Sequence, residues 1–178
     1  MQKVKHSLEN ISSIDNQEEF RVDMLEYINY SSYNNNDMFF YDMMEFIRFL
    51  KPDDDSVAYT TPEHLIYLNS PGKIGKNKRQ WDFIYDHECM HQLWETFGVE
   101  DKIKDELGKC DRMLLNIASD CVINDYLDHY RKKEMPDNLI TPDFLEEKYG
   151  VIYDRKTDTQ YTLYKKLLEV QEKLKKEL

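Results

Sequence analysis

Three cysteines in 178 residues, Cys89, Cys110 and Cys121, stand at spacings that build neither a disulfide framework nor a paired Cys-x-x-Cys metal site. A closed thiolate zinc site is therefore excluded, and the odd count fits a reducing compartment. Long apolar runs are missing too. Nowhere do about 18 apolar residues follow one another, so no membrane-spanning helix is expected. Residues 1–10 are polar and lack the apolar stretch of a secretory signal. Positive charge is the third shortage: 24 lysines and arginines face 35 acidic residues, a formal charge of -11. Such a surface repels phosphate backbones, which removes nucleic acid from the expected partners. With 40% hydrophobic and 13% aromatic residues, the chain has the large side chains a core requires. The expectation is one soluble, cytoplasmic domain, since the length leaves little room for a second.

Residues 1–16 are polar without periodicity and read as an arm; 17–178 read as the domain. Apolar residues at helical spacing predict helices over 18–30 (Phe20, Met24, Leu25, Ile28) and over 37–50 (Phe39, Phe40, Met43, Met44, Ile47, Leu50), the second stopped by Lys51-Pro52. Asp53, Asp54 and Asp55 make an acidic loop, read as solvated. Residues 57–60 and 65–69, β-branched and aromatic around Thr61-Pro62-Glu63-His64, predict a hairpin with His64 exposed in its turn. A helix over 79–97 is predicted, with Trp81, Ile84, Tyr85, Cys89, Leu93 and Trp94 on its apolar side and Gly98 as its stop. Further helices are predicted over 111–130 and, after the Glu134-Met135-Pro136-Asp137 turn, from the cap Thr141 with Pro142 in its first turn. The last runs over 159–178. The pattern is α+β, mainly helical.

His87-Glu88-Cys89-Met90-His91 falls inside the helix predicted over 79–97. Histidines four apart share a helical face, about 6 Å apart along the axis, and their imidazoles can converge on one zinc. Glu88 lies about 100° round the helix, placed to act as general base on metal-activated water without ligating. Glu95 continues the histidine stripe but lies roughly 12 Å along the axis from His87, too far for one ion. The third ligand must come from another element. In the next long helix Asp120 lies within an apolar run, on a face with Met113, Ile117, Ile123 and Leu127. A carboxylate there is costly unless compensated. A metal would compensate it; so would a hydrogen-bond network with Asn116 and Asn124, which could also act as outer partners of the ligands. Tyr126, His129, Tyr130 and Tyr161 are candidates for stabilising an oxyanion. Cys89 and Cys121 read as core, Cys110 as a surface thiol.

Trp81 to His91, then Asn116-Ile117-Ala118-Ser119-Asp120-Cys121-Val122-Ile123-Asn124, then Met135-Pro136-Asp137 and a terminal helix with Tyr164, resemble the metallopeptidase-like domain that often precedes a von Willebrand A-like domain in bacteria. The resemblance covers about 57–170. It implies a zincin-like α+β fold with a small sheet over the histidine helix, His87, His91 and Asp120 as zinc ligands, Glu88 as base, and a protein or peptide as substrate. Members often carry Gly-His about one turn after the second histidine, where this chain has Glu95-Thr96-Phe97-Gly98, and the von Willebrand A-like partner is missing here. In zincins an edge strand pairs with an extended substrate, a role open to residues 57–60 or 65–69. Two other readings are an interaction protein that keeps the metal scaffold and acts through its acidic surface, and a hydrolase of a non-peptide amide.

Overall fold

A computed structural model describes residues 47–50, 55–69 and 78–177. The helix expected over 18–30, most of that over 37–50, the arm and most of the acidic loop lie outside these. The described residues are α+β and mostly helical. They form β1 (Ile47–Phe49), β2 (Ala58–Thr60), β3 (Ile66–Leu68), α1 (Lys78–Leu93), α2 (Thr96–Leu107), α3 (Arg112–His129), α4 (Pro142–Tyr149) and α5 (Gln160–Glu177). The chain divides into two compact units between Cys89 and Met90, inside α1. Among the described residues no helix is long and apolar enough to cross a membrane.

In the first unit the sheet order is β1-β3-β2. The expected hairpin is present: β2 runs antiparallel to β3, with Ala58 opposite Leu68 and Thr60 opposite Ile66. Ile66 and Leu68 are buried, whereas Tyr67 stacks on Tyr59 at 4.8 Å on the other face, the alternation that a half-covered strand requires. His64 is exposed in the turn, with a left-handed φ of 63°. The helix expected over 37–50 is corrected at its end, because Ile47–Phe49 is a strand paired parallel to β3. A short apolar run fits both periods; pairing with β3 decides it, and Leu50 N–H extends the ladder to the Leu68 carbonyl at 2.9 Å. Since β3 is paired on both sides, residues 65–69 are not an edge. The edge is β2.

α1 begins beside the sheet, where the Trp81 indole N–H donates to the Asn69 carbonyl at 3.2 Å. Its core is Trp81, Phe83, Ile84, Tyr85 and Cys89, yet Asp86, Glu88, His91 and Gln92 are buried as well. A helix buried nearly all round, with polar groups among the buried, marks a site more than a plain core helix.

In the second unit the helix expected to run to Phe97 ends at Leu93. Glu95 takes a left-handed conformation (φ 51°, ψ 45°) and α2 starts at once. Gly98 is not a stop but a residue of α2, whose stop is Gly108 at φ 74°. The reading of Gly98 fails because a lone glycine near an apolar stripe's end looks like a cap, and α2 buries only Thr96, Glu100 and Ile103. α4 starts after its expected cap, Thr141, whose Oγ1 accepts from Phe144 N–H, and α3 starts at its expected place, where Asp111 accepts from the Met113 and Leu114 N–H groups. Leu115, Ala118, Cys121 and Val122 of α3 pack with Leu163, Tyr164 and Leu167 of α5 and with Leu145 of α4. Polar ties reinforce the α3–α5 seam: Ser119 Oγ donates to Gln160 Oε1 at 2.9 Å, and Gln171 Nε2 to Asp111 Oδ2 at 3.1 Å.

Candidate metal centre

α1 is one continuous helix, so His87 and His91 keep the one-turn spacing that the sequence implies. His91 is buried and held from both sides. Its Nδ1 shares a hydrogen bond with Thr96 Oγ1 at 3.1 Å, and its Nε2 faces Asp120 Oδ1 at 3.2 Å. Asp120 is in turn held by Asn116, whose Nδ2 donates to Oδ2 at 3.1 Å. One donor atom from each of His87, His91 and Asp120 lies within 4.8 Å of the other two.

The donor types of these residues, and the spacing of one pair among them, fit zinc. Two ligands of a tetrahedral ion, each about 2.0–2.1 Å from it, are themselves roughly 3.3 Å apart, close to the 3.2 Å between His91 Nε2 and Asp120 Oδ1. Two imidazoles and a carboxylate are also a donor set of zinc sites that keep a fourth position open. The outward-facing atoms are already committed, Nδ1 to Thr96 and Oδ2 to Asn116, the arrangement that fixes a tautomer and aims a ligand. Glu88, between the histidines, is 7% exposed. A carboxylate kept from water there suits proton transfer better than solvation.

Some expectations change. Met113 is 73% exposed and the Asp120 side chain 19% exposed, so Asp120 sits at the margin of the core, where α3 opens toward Asn116. Asn116 does hold Asp120, but Asn124 Nδ2 donates to the Ile140 carbonyl at 2.9 Å, anchoring the chain before α4. Cys89 and Cys121 are fully buried, and burial first of all pushes the Cys121 thiol up to about 12, leaving it protonated at neutral pH. Cys110 is half-buried. The two oxyanion candidates on α3 leave it elsewhere: by helical spacing Tyr126 is about 240° and His129 about 180° round from Asp120. Tyr126, Tyr130 and Tyr161 line a separate cavity, while His129 packs its ring edge-on against Tyr130. Tyr161 also donates to Glu106.

Thr96 is the member of the site that sequence reasoning misses. Its signal is faint: a threonine just past a helix break, which gains meaning only once Glu95 turns the chain back. Compared with protein-family models, with curated proteins and with solved structures, the chain matches none.

Proposed function

We propose that this chain is a zinc-dependent metallopeptidase of zincin-like fold, with His87, His91 and Asp120 as metal ligands and Glu88 as general base. The observation that carries the reading is the 3.2 Å approach of His91 Nε2 to Asp120 Oδ1 with Thr96 and Asn116 holding the far sides. The His-Glu-x-x-His spacing and the resemblance of the 116–124 segment to metallopeptidase-like domains support it. When bound, zinc supplies a Lewis acid that acidifies water and polarises a carbonyl. Glu88 takes the proton of the attacking water and returns it to the departing amine nitrogen, so that one buried carboxylate serves as base and then as acid. An extended peptide is the substrate class favoured, because β2 stands at one end of the sheet formed by the described residues, the position from which a strand pairs with such chains.

Protein purified without added metal is expected to carry about one zinc per chain, measured by elemental analysis. His91→Ala and Asp120→Asn lose it. Glu88→Gln keeps the zinc and loses hydrolysis of a quenched-fluorescence peptide library. Metal content indifferent to His87→Ala, His91→Ala and Asp120→Asn would overturn the assignment. Zinc retained by a wild-type chain that cleaves nothing in the library would favour an interaction protein.

A further inference from the structure

The second unit holds a cavity of about 420 Å³ that the metal centre does not use, within the roughly 300–1,000 Å³ of small-molecule sites. Trp94, Tyr126, Tyr130 and Tyr153 wall it, and the Asp125–Arg155 pair lies in its lining. The part of α3 that faces it, Val122, Asp125 and Tyr126, lies about 140–240° round the helix from Asp120, so cavity and metal ligand occupy different sides of one helix.

Its rings are inclined to one another. Trp94 meets Tyr126 edge-on, centroids 5.1 Å apart and planes at 67°, and Tyr130 follows at 5.7 Å and 37°. A flat ligand needs two near-parallel walls, which this arrangement lacks; a compact cation is served by ring faces that converge from several directions. Charge points the same way. Arg155 is held in a fork by Asp125, Nε to Oδ2 and Nη2 to Oδ1, both 2.7 Å, so an anion would have to displace a buried carboxylate to reach it. Asp158 is likewise held by Lys166 at 2.7 Å. What remains uncommitted is ring surface. Lys102 and Lys165 already cover Tyr161 at 4.1 and 4.9 Å, but among the described residues no cation lies over Trp94, Tyr126, Tyr130 or Tyr153. Tyr130, 58% exposed, stands at the rim, where the chain's net charge of -11 favours approach of a cation.

We infer that this cavity binds a small organic cation, an alkylated ammonium, caged by Trp94, Tyr126, Tyr130 and Tyr153. The cation is either a free molecule or the tip of a trimethylated lysine, which share the same chemistry.

The test follows the Trp94 indole resonance of the full chain, assigned by its loss in Trp94→Phe, during titration with choline, with acetyl-trimethyllysine amide and with 3,3-dimethylbutan-1-ol, the uncharged isostere of choline. At least one ammonium is expected to give a saturable shift with an affinity at least about fivefold tighter than the isostere. The tighter of the two ammonium probes identifies the source. Tyr126→Leu weakens binding at least about fivefold, whereas Tyr126→Phe, which keeps the ring, leaves it within about twofold. Should Tyr126→Leu fail to fold, Tyr130→Leu at the exposed rim supplies the same contrast. Equal affinity for choline and its isostere, no saturable shift, or binding that survives loss of both tyrosine rings overturns the inference.

Discussion

Thr96 couples the proposed metal centre to the bend between α1 and α2. An imidazole that ligates through Nε2 must carry its proton on Nδ1, and Thr96 Oγ1 is placed to accept it at 3.1 Å. Thr96→Val keeps the shape and removes the acceptor. Zinc affinity, measured by competition with a chelating dye, is expected to fall about 10–100-fold, and Thr96→Ser to restore most of it. Equal affinity in all three proteins would assign Thr96 a packing role only. The ligand set could be proposed from the sequence because helical spacing is rigid: residues four apart must share a face wherever the helix lies. Thr96 could not, since its approach to His91 depends on one left-handed residue, Glu95, and nothing about a glutamate announces that conformation. Asp120 was legible as a costly carboxylate in an apolar run, although the run proved less enclosed than its composition implies, with Met113 turned outward.

At the scale of elements, glycines separate the two readings of the α1–α2 region. Gly98 lies in the first turn of α2 without a positive φ, and a Cβ there would meet Glu95 atoms no closer than 3.6 Å, an ordinary contact. Gly98→Ala should therefore be neutral or stabilise by about 0.5 kcal/mol. Gly108 caps α2 at φ 74°, its N–H bonded to the Lys104 carbonyl at 2.8 Å, so Gly108→Ala should destabilise by about 1 kcal/mol. Urea denaturation of both variants checks this; a larger loss for Gly98→Ala than for Gly108→Ala would contradict the placement of the helix. α4 was legible because Thr141 is a cap with a local mechanism, and α3 because its apolar run is too long for a strand. β1 was not, because Ile47–Phe49 becomes a strand only by pairing with β3, about twenty residues later, and no local period records that partner.

At the scale of the whole molecule, charge and acid stability belong together. Burial pushes the Glu100 carboxyl up, but hydrogen bonds from Lys104 and Arg112 outweigh it and leave its pKa below the usual value. Gln171, then the Leu114 and Met113 amides, hold Asp111 low as well. A carboxyl whose pKa is lower folded than unfolded adds stability above the unfolded value, near about 4, and loses that contribution as pH falls through the folded value. Urea midpoints are thus expected to fall as pH drops below about 4, and Glu100→Gln and Asp111→Asn should each shrink the difference between pH 7 and the acid limb. An undiminished difference in both variants would place the acid sensitivity elsewhere. The net charge of -11 was plain from composition; which few carboxylates matter was not, because that depends on partners such as Gln171, 60 residues beyond Asp111.

That same separation sets a timetable for synthesis. At about 5–20 residues per second, a ribosome takes roughly 3–12 s to pass from Asp111 to Gln171. Through that interval Leu115, Ala118 and Val122 of the nascent α3 lack Leu163, Tyr164 and Leu167, the side chains that later cover them. The helix that bears Asp120 is therefore made well before the α5 side chains that cover it, which makes it a ready client for chaperones during translation.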